Sequence, residues 1–180
     1  MKKSGMYLMT VIGLVATQAC STTPKAPDVA SSIHTALTQA GLKDVSVSQD
    51  REKAVVTLKG SVADDSQKMQ AESIAKSLAA GEVVGNEIAV LPPDAQSTAK
   101  TVNSDLDEAI KKNLDAALIE SHLNKGVKYE VTNGVITLTG KVNSQAVRTA
   151  TERTAVGVPN VQQVVNKLDI TNQRATSSNE

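Results

Sequence analysis

The strongest constraint on this chain is that it contains the same segment twice. Shifting the numbering by eighty lays Val55-Val56-Thr57-Leu58-Lys59-Gly60-Ser61-Val62 on Val135-Ile136-Thr137-Leu138-Thr139-Gly140-Lys141-Val142. The same offset places Glu72 on Glu152, Ala75 on Ala155, Val84 on Val164 and Asn86 on Asn166. A repeat of this length is one supersecondary unit used in tandem, so the chain is two small domains rather than one large one.

Periodicity within each copy gives the unit its element order. Val29, Ile33, Ala36 and Leu37 keep helical spacing and run into Gly41, as Ile110, Leu114, Ala117 and Leu118 do in the second copy. Two β-branched stretches follow: Val45 and Val47 then Ala54 to Leu58, and Val127, Tyr129 and Val131 then Val135 to Leu138. Asn133-Gly134 joins the second pair with the dipeptide best suited to positive φ, whereas the first copy spends Gln49 to Lys53 on its connection. Gly60 and Gly140 end the second strand, where a residue without Cβ suits a sharp bend or a close approach, so both read as structural.

A second helix carries Ala71, Ile74, Ala75 and Leu78, matched by Val147, Ala150, Thr154, Ala155 and Val158, with Asp64 and Ser144 as candidate caps. Third strands are expected over Val83 to Leu91 and Val161 to Ile170. The predicted fold class is therefore α+β: two tandem α-β-β-α-β modules, each with two helices packed on one face of a three-stranded mixed sheet. The modules span 28–91 and 104–171, joined by a linker over 92–103 that opens on Pro92-Pro93, and a polar tail over 172–180 is expected to be disordered. With Phe and Trp absent, the cores must be built from Val, Ile, Leu and Ala. Domains this small are marginal alone, which predicts that the two lean on each other.

Lys2 and Lys3 precede an apolar run from Met6 to Thr17 that stops at Gln18-Ala19-Cys20. The run is short of the ~20 residues a spanning helix needs, and it reads as a signal peptide over 1–19. Cys20 is the only cysteine and stands where a lipoprotein cysteine would, followed by a proline-stiffened tether over 20–27. Thr17 and Gln18 depart from the usual pattern before such a cysteine, so ordinary cleavage after Ala19 stays open beside acylation of Cys20. An acylated Cys20 followed by Ser21 implies the periplasmic face of an outer membrane; otherwise the chain is expected soluble in the periplasm.

Charge and residue types exclude several function classes. Residues 28–91 carry six Lys/Arg against nine Asp/Glu and residues 104–171 carry eight of each, without the positive excess of a nucleic-acid binder. His34 and His122 occupy unrelated positions in the two copies, and no set of zinc ligands, nucleophile with base, or Gly-rich phosphate loop is present. The reading is a non-enzymatic protein without a cofactor or metal.

The repeated Val-Thr-Leu-x-Gly-x-Val before the second helix, with Val-Val-Asn-x-Leu in the last strand of the second copy, resembles the BON family over roughly residues 28–91 and 104–171. The resemblance implies a cell-envelope protein. Tandem members include outer-membrane lipoproteins that bind anionic phospholipid and support envelope integrity, and a soluble osmotic-stress protein of chaperone-like behaviour. In the lipid-binding members the contact surface is associated with the first helix of the second module, aided by an aromatic residue, and Trp and Phe are missing from this chain.

That helix sets its core positions on one side and Ile119 nearly opposite, with Lys112, Ala116 and Leu123 close to it. The expectation is a lipid-binding patch of Lys112, Ala116, Ile119 and Leu123, a cation beside apolar surface suiting headgroup attraction with shallow insertion. Leu123 answers to Leu42 of the first copy and so also reads as core, leaving Lys112, Ala116 and Ile119 as what distinguishes this helix. Contact of this patch with the facing module is the alternative. The expected partners are a phospholipid membrane and an envelope protein, with docking on envelope machinery as a further reading.

Overall fold

A computed structural model describes residues 25–171. Residues 1–24, which hold the expected signal peptide, Cys20 and most of the expected tether, and the expected tail over 172–180 lie outside the described residues. Module 1 runs α1 (Ala30–Gln39), β1 (Val45–Asp50), β2 (Val55–Val62), α2 (Asp65–Leu78) and β3 (Val83–Val90). Module 2 repeats the order with α3 (Gln96–Glu120), β4 (Val127–Thr132), β5 (Val135–Val142), α4 (Gln145–Val156) and a last strand in two pieces, β6 (Gln163–Asn166) and β7 (Asp169–Ile170). In each sheet the first strand pairs antiparallel and the last parallel to the central one, so both sheets are mixed.

Alternation along the central strands assigns the two sheet faces. Val56 and Leu58 point under α1 and α2, where Ile33, Leu37, Ala71, Ala75 and Ile88 complete the first core. Ile136 and Leu138 do the same beneath α3 and α4 with Ile110, Leu114, Leu118 and Ala155. On the opposite faces Val55, Val135 and Val165 form a third buried cluster, so the modules meet through the sheet faces turned away from their helices.

Local chemistry fixes the element ends as the sequence predicts. Asp64 and Ser144 accept from the N–H groups of Gln67 and Val147 at 2.9 and 3.3 Å. Asn133 and Gly134 turn the second hairpin with φ of 48° and 77°. Gly60 and Gly140 have φ of 126° and 113°, and a Cβ there would stand 2.0 Å from the Asp44 carbonyl oxygen and 2.2 Å from that of Gly126.

Two segments differ from expectation. Residues 96–103, read as linker, form the first two turns of α3, leaving only the turn at Pro92–Ala95 between the modules. Helix continues there because nothing after Pro93 interrupts it, although the added turns lack the apolar stripe that would have disclosed them. Residues 25–27, read as the end of the proline-stiffened tether, are pinned to the first hairpin. Ala26 donates to the Arg51 carbonyl at 3.0 Å and accepts from Arg51 Nε at 2.7 Å, while the Gln49 side chain holds the Pro27 carbonyl and the Val29 N–H.

Candidate functional site

The exposed side of α3 carries the predicted patch. Ile119 is 53% exposed, and Lys112 and Ala116 lie exposed above it. Lys112 Nζ stands 2.8 Å from Glu108 Oε1, one helical turn back. Glu108 holds the ammonium above its ordinary range, and the ammonium holds the carboxyl below its own. Leu123 does not join this surface. The chain reverses at His122, whose φ is 57°, and Leu123 packs against the second core. The patch is thus Lys112, Ala116 and Ile119, with Leu123 serving the core as Leu42 does in module 1.

The ends of the molecule follow from the pairing between modules. Lys53 and Asp50, at the first hairpin, form ion pairs with Asp169 and Lys167 at the end of the last strand. At the other end, the Asn133 side chain donates to the Glu87 carbonyl at 2.8 Å. The central strands therefore run in opposite directions across the interface. Asp107 receives the N–H groups of Asn133 and Gly134 at 2.7 and 2.8 Å, which ties the middle of α3 to the second hairpin. The last turn of α3, with Ile119, consequently reaches the end where residue 25 enters the fold.

Polar groups between the modules are mostly partnered. Gln163 accepts from the Asn86 N–H at 3.0 Å and donates to the Val84 carbonyl at 2.6 Å. Glu87 is only 6% exposed; one carboxylate oxygen accepts from Thr137 at 3.2 Å, and the other lies 3.2 Å from Lys59 Nζ, off the direction of a hydrogen bond. Burial pushes the Lys68 ammonium down, opposed by Asp65, Glu72 and Asp107. A cleft of about 550 Å³ opens beside Gly60, Lys100, Asn103, Asp107 and Asn133. Both oxygens of Asp107 are committed to the hairpin, so that carboxylate is already occupied there.

Two identities kept by the repeat are bonded to each other, a role the sequence reading missed. Asn86 Nδ2 donates to Glu72 at 3.0 Å, and Asn166 Nδ2 to Glu152 at 2.9 Å. Each asparagine also accepts from the N–H two residues on, Ile88 in one copy and Leu168 in the other. The signal was the joint survival of Glu and Asn at one offset. Their role is to tie the last strand to the second helix.

Among the described residues no group of three or more His, Cys, Asp or Glu side chains could hold a metal ion. No described helix is long and apolar enough to cross a membrane.

No curated protein matches the chain. Among solved structures it is similar to the C-terminal domain of CdsD, the structural protein of the type III secretion system of Chlamydia trachomatis. That likeness has 14% identity and a TM-score of 0.34, covering 81% of this chain and 98% of that one. A second CdsD structure gives 13% identity and a TM-score of 0.35 over 80% of this chain and 92% of that one. The BON domain model matches residues 26–92 and again 104–172, one match on each folded module. With two matches of that single model together covering most of its length, the chain belongs to the BON domain family.

Proposed function

We propose that this chain is a non-enzymatic cell-envelope lipoprotein, held through Cys20 at the periplasmic face of the outer membrane, whose BON modules engage anionic phospholipid and support envelope integrity. The observation that carries the reading is where Ile119 lies. An exposed isoleucine in the last turn of α3 shares an end of the molecule with residue 25, the point at which a tether from Cys20 joins the fold. An acyl anchor on that tether would bring this end toward the bilayer, and apolar surface beside a lysine suits shallow insertion.

Two measurements test it. Flotation of the mature chain carrying Cys20→Ser should recover more protein with anionic than with neutral vesicles, and Ile119→Asp with Lys112→Glu should lower the anionic recovery severalfold. Equal recovery on both vesicle types removes headgroup recognition. Palmitate labelling in cells should be lost in Cys20→Ala, and absence of label in the parent chain replaces the lipoprotein with a soluble periplasmic protein.

A further inference from the structure

The second module gathers three lysines at a corner where the first has one. Lys125 stands in the connection after α3, Lys128 in β4 and Lys141 near the end of β5, all exposed. The Lys141 N–H donates to the Gly126 carbonyl at 2.9 Å and Val127 pairs with Gly140, so the three stems leave one corner of the sheet. Pairing of Val45 with Gly60 makes Lys43, Ser46 and Ser61 the matching positions of module 1. Among the described residues none of the three lysines has a carboxylate within ion-pair distance. Asp169, in register with Lys141, is engaged by Lys53 of the other module, and Asp50 and Glu52 at the same end pair with Lys167 and Lys25. Asp115, Glu120 and Glu130 are further carboxylates of this module near the corner.

This corner lies at the end of the molecule where residue 25 enters. From Cys20 to Lys25 the chain reaches at most about 17 Å when fully extended. A bilayer holding an acyl group on Cys20 would thus stay close to the corner, where charge is felt over a screening length of ~8 Å at physiological salt. The far end, around Ser61, carries Asp44, Asp64, Asp65 and Asp94 beside Lys43, Lys100 and Lys111.

We infer that Lys125, Lys128 and Lys141 contact the anionic headgroups of the bilayer and set which end of the molecule faces it. The inference rests on the proposed function and deepens it: Ile119 supplies apolar insertion, and the lysine corner supplies the headgroup contact. A lysine near an anionic surface contributes about a fivefold gain in partitioning, so the three together give on the order of a hundredfold.

The test uses the mature chain carrying Cys20→Ser, with phosphatidylcholine vesicles compared against mixed phosphatidylcholine and phosphatidylglycerol vesicles. Lys125→Gln, Lys128→Gln and Lys141→Gln combined should lower partitioning on the mixed vesicles by about a hundredfold and flatten its salt dependence. The same change in charge at the far end, through Lys43→Gln, Lys100→Gln and Lys111→Gln, should cost less than about fivefold. Equal losses in the two triples, or none in the first, overturn the inference while leaving the proposed function standing. Failure of the parent chain to prefer mixed vesicles overturns both. A fluorophore on Asn124→Cys should shift to the blue on mixed vesicles while one on Ser97→Cys does not, and the reverse order also overturns the inference.

Discussion

At the scale of single residues, the repeat preserves a polar contact as carefully as it preserves its apolar core. Glu72 and Asn86 sit fourteen residues apart, on a helix and on the strand beneath it, and Glu152 and Asn166 reproduce the pair. Hydrogen bonds from Lys76 and then Asn86 hold the Glu72 carboxyl below the usual carboxylate range. A carboxylate whose folded pKa is depressed contributes stability that is complete above its unfolded value and disappears as pH falls through the folded one. Urea midpoints should therefore decline as pH is lowered from about 6 through about 4, and Glu72→Gln should make that decline shallower. An unchanged slope in the variant would remove Glu72 as a source of acid sensitivity. The sequence shows that Glu and Asn recur together; it does not show that they touch, because the approach of helix to strand is a tertiary fact. The collision that awaits a Cβ at Gly60 or Gly140 is of the same kind, since the carbonyl it would strike belongs to the neighbouring strand.

Among the elements, the strands and the core halves of the helices were readable because burial imposes periods of two and of 3.6 residues. Ile110, Leu114 and Leu118 announce α3 by that rule, whereas its opening turns from Gln96 do not, since they have no apolar stripe. The break between β6 and β7 was equally hidden: the apolar residues spread from Val161 to Ile170 do not record where pairing with β5 lapses for two residues. Gln163 also had no visible signal, because its amide does the work of a backbone. By taking the Asn86 N–H and the Val84 carbonyl it completes the outer edge of β3 as a neighbouring strand would. Gln163→Ala should accelerate hydrogen exchange at the Asn86 amide roughly tenfold, as expected for the loss of a bond of about 1 kcal/mol or somewhat more. Protection equal to that of the parent chain would show that the edge is shielded by packing alone.

The whole molecule is held by a third apolar cluster that neither module possesses alone. Val55 and Val135 occupy equivalent positions, and Val165 faces Gly85, its own counterpart, where an added Cβ would stand 3.0 Å from a Val165 methyl. The runs Val-Val-Thr-Leu and Val-Ile-Thr-Leu are apolar on both faces of the strand, which is the mark of a sheet covered on both sides. That the modules would lean together could thus be read, but not the opposed direction of their strands. A single cooperative unfolding transition is expected, and Val165→Asp should split it into two by burying a charge in the shared cluster. One sharp transition in that variant would place the coupling elsewhere, in the ion pairs at the ends. The opposed strands also decide where anything attached to this protein will stand. Because Lys53 meets Asp169, the first and last described residues leave by the same door, and the Pro92–Ala95 turn is left at the back of the house. A reporter spliced into that turn is carried away from whatever grips the entrance, while one appended beyond Thr171 shares its crowded threshold.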